Sequence, residues 1–467
     1  MKRILDLNTI KRFKPAAKKV AVMTTLGLGL VLLASCGEFL EIAPKETISE
    51  ELAIVDKTSL NTAVRGAYRR LGNAGYYGEG YVNLGFIPSG DVIYNVFNNV
   101  SDLNFRADDG AFAGSWAAIY ATINLVNHII EKAPQITDVN LTDAQRNAAL
   151  GEAHFLRGLA YFDLARGWGG VPLKLKPTSD LSQDTGIPRA TLEQTYKQVL
   201  EDLDLAEQLL PEQLNRVRAT RYTVWALKAR FYLYNKNWTQ AVNYADKVIA
   251  LNNHFRLVAP FNSWFSAGVV QTQESILEIA FSAQNPSALR TRMSLLSRGG
   301  EYRYRPSDNL VATLRNPGTG GHRRALLDSA TQAGTTQYAG ALYYRSPATD
   351  PSYVIRIAEL YLIRSEALAQ LGNLPKALLD LNLIRNRAGL GNLSLNNDTE
   401  VLAAVLEERR LEFLWEAHRY FDLSRTGKLK EKIEQLKPNL KIQPHLNLFP
   451  IPIDEVILDK LQQNPGY

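Results

Sequence analysis

The sequence predicts a mainly α-helical fold built on helix–turn–helix repeats, with irregular, aromatic-rich loop regions and a little β structure. Three observations lead to this prediction. Apolar residues recur at steps of three and four over most of the chain, as they do on the buried face of a helix. Two stretches share one helix–turn–helix pattern, and two others combine turn-forming residues with many aromatic side chains.

The first 35 residues predict a lipoprotein signal peptide. Basic residues dominate positions 1–19, and the uncharged run 20–33 that follows is too short for a transmembrane helix, which needs about 20 apolar residues. The run ends in Leu33-Ala34-Ser35-Cys36, which resembles the lipobox of bacterial lipoproteins. We expect cleavage before Cys36 and anchoring in the bilayer by acyl chains on its thiol. The alternative is a buried structural cysteine beside an ordinary signal.

The charge balance supports removal of this segment and excludes one class of partner. The chain carries 53 basic and 47 acidic residues. Because residues 1–35 hold the whole basic excess, the chain from Cys36 onward is formally neutral. No basic stripe of the kind that binds nucleic acid remains. Residues 37–51 are polar and acidic, and we expect them to form a tether.

Helical periodicity dominates the rest of the chain. The spacing of apolar residues is typical of helices that bury one face. The predicted helices cover residues 58–72, 113–133, 149–164, 190–209, 221–235, 239–250, 354–371, 375–387 and 402–420.

Two of the predicted helix pairs match the spacing of a tetratricopeptide (TPR) repeat. In the first pair, Ala229 precedes a short turn at 236–238. In the second, Ser365 precedes a turn at 372–374. Each pair has a small residue where its two helices cross, which lets the helices approach closely. We therefore predict a TPR-like scaffold.

The helical pattern fades in two segments, about 73–112 and 252–350. Both are rich in Gly, Pro, Ser and Asn, and only Glu274 to Ser282 has the pattern of a short strand. Long irregular segments in a compact domain are usually functional or disordered. Their many aromatic residues argue against disorder.

Several ordered motifs resemble the SusD/RagB family of surface lipoproteins of Bacteroidota, and the resemblance extends over most of the chain after Cys36. The matching motifs are Ser115-Trp116, 152–164 (EAHFLRGLAYFDL), 168–173 (WGGVPL), 356–362 (RIAELYL), 407–413 (EERRLEF), 418–423 (HRYFDL) and the terminal 463–467 (QNPGY).

The resemblance implies a TPR-containing protein on the cell outer membrane, lipid-anchored and exposed at the surface. It implies capture of oligosaccharides, or sometimes peptides, and a partner that is a TonB-dependent SusC-like transporter. Members of the family are not catalysts. On this basis we expect an N-terminal SusD-like region with TPR-like helices at 52–251. A C-terminal SusD/RagB region would follow at 252–467, with a loop insert at 252–350.

No catalytic, metal or cofactor motif is evident. None of the six histidines stands in a metal-binding pattern, and His154 and His418 are interpreted as structural. The carboxylates of Asp108-Asp109-Gly110 lack the spacing of a calcium loop. Glu407 to Asp422 is predicted to be one salt-bridged helix, in which Arg409, Arg410 and Arg419 pair with Glu408, Glu412 and Glu416.

Sugar capture needs aromatic faces and hydrogen-bonding side chains, and the two irregular segments contain both. The alternative for each such residue is that it packs the loops onto the helices. The ligand-binding candidates are Tyr76, Tyr77, Phe97, Asn98, Trp264, Phe265, Tyr302 and Tyr304.

Three functions remain open from the sequence. The first is a lipoprotein that captures oligosaccharides or peptides for import. The second is a surface glycoside hydrolase or peptidase, although nothing selects a catalytic pair among the many carboxylates. The third is a TPR assembly scaffold that contacts only proteins. Turnover of glycan or peptide panels separates the second function from the other two.

Overall fold

Helices form most of the protein, as predicted. The computed structural model describes residues 54–95, 99–178, 186–266 and 268–467. The predicted signal peptide 1–35, the lipidation site Cys36 and the tether 37–51 lie outside these ranges. Within them, no helix is both long and apolar enough to cross a bilayer.

The longer helices lie close to where the apolar periodicity predicts them, except for the helix predicted at 402–420, which ends at Glu412. In the first part of the chain the helices are α1 (Lys57–Leu71), α2 (Gly80–Phe86), α3 (Gly110–Lys132), α4 (Asp143–Trp168), α5 (Leu192–Leu209), α6 (Arg221–Tyr234) and α7 (Trp238–Ile249). In the second part they are α8 (Ala288–Met293), α9 (Asp308–Arg315), α10 (Ile357–Gln370), α11 (Leu374–Arg387), α12 (Asp398–Glu412), α13 (Arg419–Arg425), α14 (Leu429–Leu436) and α15 (Ile453–Ile457).

Capping boxes define where several of these helices begin. At the start of α4, the Thr142 side chain accepts from the backbone N–H of Gln145, and the Gln145 side chain accepts from the N–H of Thr142. Thr191 and Gln194 repeat this arrangement at the start of α5. Each box satisfies backbone N–H groups that the first turn of a helix leaves without partners.

The two predicted TPR-like pairs are present as α6–α7 and α10–α11, and α7 also packs against α10. The turn after α10 passes through Gly372, whose φ of +77° suits a residue without Cβ. Where α10 and α11 cross, the Ser365 hydroxyl donates to the carbonyl of Ala377 at 2.7 Å. Both residues are buried, so small side chains allow this close crossing.

One hydrophobic cluster extends from Ile54 to Leu461 and draws on both predicted regions, 52–251 and 252–467. A smaller cluster fills the space between α10, α11 and α12. Residues 54–467 form one compact unit, without a boundary near residue 251. The division of the chain at that residue therefore stays a prediction.

The described strands form three two-stranded sheets, all antiparallel. The predicted strand near 274–282 is present, and its partner takes up residues expected to begin a helix at 354. The strands are β1 (Val92–Tyr94), β2 (Ser275–Ile279), β3 (Tyr304–Pro306), β4 (Leu327–Gln332), β5 (Thr335–Gly340) and β6 (Ser352–Arg356), paired as β1–β3, β2–β6 and β4–β5.

The prediction of one helix from Glu407 to Asp422 is wrong. Helix α12 ends at Glu412, and the chain turns through Trp415, whose φ is +71°, before α13 begins at Arg419. The turn lets the Trp415 indole N–H donate to the carbonyl of Leu326 at 3.1 Å. The apolar pattern continues through the turn because these side chains are buried on either side of it.

The ion pairs of this segment also differ from the prediction. The carboxylate of Glu412 pairs with Arg323, Arg356 and Arg387, which come from other elements. Arg409 pairs instead with Asp422, and Arg410 pairs with Glu407. Arg410 and Arg419 also approach the buried carboxylate of Asp91, beside β1. We call the group formed by Arg323, Arg356, Arg387, Glu274, Glu412 and Glu416 the buried arginine–glutamate cluster.

The buried arginine–glutamate cluster shifts the ionisation of two of its carboxyl groups in opposite directions. Burial raises the pKa of Glu416 to about 7, because repulsion from Glu412 adds to the effect of burial and the Arg356 guanidinium only partly opposes it. Burial also disfavours the charged form of Glu412. Three guanidinium groups outweigh that effect and lower its pKa to about 2.

Candidate ligand-binding site

The short ribbon β1–β3 brings the two irregular, aromatic-rich segments together. Tyr94 stands opposite Tyr304 in the register, and Ile93 stands opposite Arg305. Beyond the ribbon, the backbone N–H of Asn95 donates to the carbonyl of Arg303 at 2.8 Å. Side chains of the ribbon point alternately to its two faces, and a cavity lies on each face.

The first cavity, on the Tyr94 face, has a volume of about 640 Å³. The rings of Tyr94 and Tyr304 stack with their centroids 5.3 Å apart and their planes at 26°. Tyr94 is half-buried, whereas Tyr304 is almost fully covered. Tyr94 therefore presents the accessible aromatic surface. Its polar neighbours in the cavity wall are Glu79, Asn83, Asn99, Arg106, Asp108 and Asp109.

Hydrogen bonds fix Tyr304 behind Tyr94. The Tyr304 hydroxyl donates to Glu79 at 2.7 Å and accepts from the Asn83 amide at 2.6 Å. Burial and the neighbouring Glu79 carboxylate raise the pKa of this hydroxyl well above its usual value. The Phe86 ring packs edge-on against Tyr304 at 6.0 Å. The accessible ring thus rests on a rigid base.

An exposed ion pair forms part of the rim of the first cavity. The Arg106 guanidinium donates to Asp108 at 2.9 and 2.5 Å. The Asp109 side chain caps α3 by accepting from the backbone N–H of Ala111 at 3.0 Å. These carboxylates are thus occupied, and no group of side chains that could hold a metal ion occurs within the described ranges.

The second cavity, on the opposite face of the ribbon, has a volume of about 310 Å³. Tyr302 leads into β3 with a φ of +49°, a conformation that a bulky residue adopts only when its surroundings impose it. Its carbonyl accepts from the Asn95 amide at 2.9 Å, and its hydroxyl donates to the carbonyl of Tyr338 at 3.1 Å. Arg305 and Gln337 complete the polar wall.

The sequence-predicted candidates divide into separate groups. Tyr302 and Tyr304 lie at the ribbon. Tyr76 and Tyr77 are buried, and their hydroxyls donate to Asp163 at 2.7 and 2.9 Å. These two rings face the core and leave no face open to a ligand.

Trp264 and Phe265 lie away from the ribbon. Trp264 is buried with the Arg356 guanidinium 4.1 Å from its ring centroid. Phe265 lines a third cavity of about 410 Å³ but is itself almost fully covered. Phe97 and Asn98 lie outside the described residues, so their part in binding stays a prediction.

Sequence reasoning did not select Tyr94, Asn95 or Asn83. A signal was available in Tyr302-Arg303-Tyr304-Arg305, where aromatic and charged residues alternate with the period of a strand. That alternation indicates an edge with two chemically different faces. It does not indicate which distant segment pairs with the strand.

The two histidines interpreted as structural are held in the interior. The His154 ring nitrogen Nδ1 lies 2.7 Å from Asp202, which also binds Arg157. His418 is buried, and burial together with nearby arginines lowers its pKa well below its usual value. A neutral ring at this place avoids adding charge to an already cationic region.

Two family models match the chain. One, described as starch-binding and associating with the outer membrane, matches residues 38–233. The other, described as the SusD family, matches residues 329–467. Together the matched ranges cover well over half of the sequence. The chain belongs to the SusD/RagB family.

Known relatives resemble the chain over most of its length. A SusD-like protein of Formosa agariphila is 26% identical over 98% of this chain and 100% of its own. The starch-binding protein SusD of Bacteroides thetaiotaomicron is 23% identical over 70% of this chain and 74% of its own.

Solved structures share the fold. A SusD superfamily protein from Bacteroides vulgatus superposes with a TM-score of 0.78 at 22% identity, covering 88% of this chain and 99% of that one. A laminarin-binding SusD-like protein superposes with a TM-score of 0.74 at 21% identity, covering 88% of this chain and 100% of that one.

Proposed function

We propose that this protein captures oligosaccharides at the β1–β3 ribbon and passes them to a TonB-dependent SusC-like transporter, without catalysing any reaction. The observation that carries the proposal is the stacked pair Tyr94–Tyr304 beside a large polar cavity. A pyranose ring needs a flat apolar surface and side chains that bond its hydroxyls. Tyr94 offers the surface, and Asn99 offers an amide.

The relatives support a glycan over a peptide as the ligand. One matching family model is described as starch-binding, and the Bacteroides thetaiotaomicron relative carries the same description. A protein of the same fold is described as laminarin-binding. The transporter partnership follows from the family resemblance.

The proposed location is the outer membrane, with the protein lipid-anchored through Cys36 and exposed at the surface. Support comes from the family description, which associates these proteins with the outer membrane, and from the lipobox in the sequence. Labelling cells with a clickable palmitate analogue tests the anchor. The wild-type protein should be labelled and Cys36→Ala should not, and labelling of both would contradict it.

Replacing Tyr94 by Ala tests the binding site. Loss of the stacking surface should weaken oligosaccharide binding by about tenfold, which corresponds to about 1.4 kcal/mol. Calorimetric titration of the full-length protein, purified in detergent, measures the change. Tyr361→Ala on α10 removes another half-buried ring and serves as the control. Equal affinity of both variants for every glycan would contradict oligosaccharide binding at the β1–β3 ribbon.

Two further measurements separate capture from the other functions. Incubation of the purified protein with glycan and peptide panels should leave each substrate intact, and hydrolysis would contradict the proposal. Affinity purification from cells should recover a TonB-dependent transporter. Recovery of an envelope complex without one would favour an assembly scaffold instead.

A further inference from the structure

Positive charge is concentrated in the segment 288–326. It contains eight arginines and no lysine, against the two acidic residues Glu301 and Asp308. The chain from Cys36 onward is formally neutral, so this local excess must be offset elsewhere in the sequence. The segment includes β3 and Tyr302, so part of its charge lies at the proposed sugar-binding ribbon.

Carboxylates neutralise some of these arginines. Arg323 is buried and pairs with Glu408 and Glu412. Arg292 and Arg303 share the carboxylate of Glu301. These guanidinium groups are already engaged.

Two other arginines of the segment lie away from the ribbon. Arg298 approaches Asp328 at 3.4 Å beside the third cavity. Arg290 donates to the carbonyl of Arg298 at 2.9 Å. Neither of them lines the second cavity.

One guanidinium group lines the second cavity and another lies beside it. Arg305 donates to the Asn95 side chain at 3.2 Å, and its nearest carboxylate, Asp308, lies 4.0 Å away and is fully exposed. A solvated ion pair of this length contributes little. Arg315 lies with its guanidinium 5.7 Å from the ring centroid of Tyr338. Within the described ranges, Arg315 makes no ion pair.

The two faces of the ribbon therefore differ in charge. The first cavity contains Glu79, Asp108 and Asp109 against Arg106. The second is lined by Arg305, Asp308 and the rings of Tyr302 and Tyr338. Arg315 lies beside it, against the Tyr338 ring, so two guanidinium groups stand against one carboxylate. A planar guanidinium binds a carboxylate or a sulfate through paired N–H groups, and the rings provide stacking surfaces.

We propose that the second cavity selects acidic sugar units, so that the captured oligosaccharide carries carboxylate or sulfate groups. This inference rests on the proposed function, because it names the class of glycan that the same ribbon binds. Arg305 and Arg315 hold the anionic group, and Tyr302 and Tyr338 pack against the sugar ring. The ion pair on the first face leaves that cavity to the uncharged hydroxyls of the chain.

Calorimetric titration with three oligosaccharides of equal length tests the proposal: a neutral glucan, a uronate oligomer and a sulfated galactan. The full-length protein, purified in detergent, should bind at least one acidic oligomer at least tenfold more tightly than the neutral one. Raising the salt concentration should reduce that preference. The acidic oligomer that is preferred distinguishes carboxylate from sulfate as the recognised anion.

The double variant Arg305→Gln/Arg315→Gln should lose this preference and bind the acidic and neutral oligomers equally. Arg324→Gln is the matched control, because Arg324 is an exposed arginine of the same segment that, unlike Arg305 and Arg315, neither lines the cavity nor lies against its Tyr338 ring. It should keep the preference. Circular dichroism checks that the three proteins are equally folded.

Three results would overturn the inference. The first is equal affinity of the wild-type protein for neutral and acidic oligomers. The second is an equal loss of preference in Arg324→Gln and in the double variant, which would indicate nonspecific attraction. The third is binding of phosphatidylglycerol vesicles through Arg305 and Arg315 without binding of acidic oligomers.

The proposed function can survive the failure of this inference. It is upheld if the protein binds neutral glycans and Tyr94→Ala weakens that binding. The absence of any glycan binding would contradict both proposals.

Discussion

Replacing Arg356 by Met should strongly destabilise the protein, because it leaves buried carboxylates without their common cation. Arg356 donates to Glu274 at 2.9 Å, to the Glu412 carboxylate at 3.1 Å and to Glu416 at 2.7 Å. All four side chains are buried. Methionine fills part of the space but supplies neither charge nor donor.

The magnitude follows from the cost of an uncompensated buried charge. Removing one partner of a buried ion pair typically costs about 3–5 kcal/mol. We expect a loss in this range, since Arg323 and Arg387 still hold Glu412 while Glu416 loses its cation. A typical total stability is about 5–15 kcal/mol, so the variant retains only part of it.

Urea denaturation followed by tryptophan fluorescence measures this loss, because Trp264 stacks on Arg356. Lys197→Gln is the control. Its pair with Glu201 is 3.7 Å long and exposed, so the change should be within about 0.5 kcal/mol. A loss for Arg356→Met as small as that of the control would refute the reasoning. It would mean that water or protonation relieves the carboxylates at little cost.

Three further predictions follow from described contacts. Because burial raises the pKa of Glu416 to about 7, its stabilising contribution is full below its ordinary value of 4.5 and is lost as the pH rises through 7. Glu416→Gln should therefore flatten the fall in urea midpoint between about pH 5 and 8, and an unchanged slope would count against this assignment. Gly85→Ala should lower the free energy of unfolding by about 1–3 kcal/mol, since the added Cβ would lie 2.4 Å from the Ala417 Cα. Gly114→Ala is the control and should not lower it, because its Cβ would meet open space. Tyr76→Phe should lower stability by about 1 kcal/mol through the hydrogen bond lost at Asp163, and leave glycan affinity in calorimetry unchanged; weakened binding would return Tyr76 to the site.

The scaffold could be predicted from the sequence because its signals are local. Thr142 and Gln145 form a capping box three residues apart, and the spacing of Ser365 and Ala377 around a short turn defines a helix pair. Each signal is contained within one or two helices. The turn at Trp415 was missed because apolar periodicity reports burial, and a buried turn keeps that pattern.

The ligand-binding site was only partly predictable because it depends on a non-local pairing. Tyr302 and Tyr304 were selected for their residue type and segment. Tyr94 becomes important only when β1 lies beside β3, and nothing near Tyr94 in the sequence specifies that partner. Tyr76 and Tyr77 also lie in an aromatic-rich segment, but their hydroxyls bind Asp163 in the core. Aromatic content alone therefore did not distinguish buried rings from rings accessible to a ligand.

The pairing of β1 with β3 also has a consequence for how the protein folds. The two strands lie far apart in the sequence, and ordering the long loop between them costs entropy before their few contacts repay it. The helical pairs, whose contacts are local, can form earlier. Glycan affinity at the proposed site would then be acquired late in folding, after the helical pairs have formed.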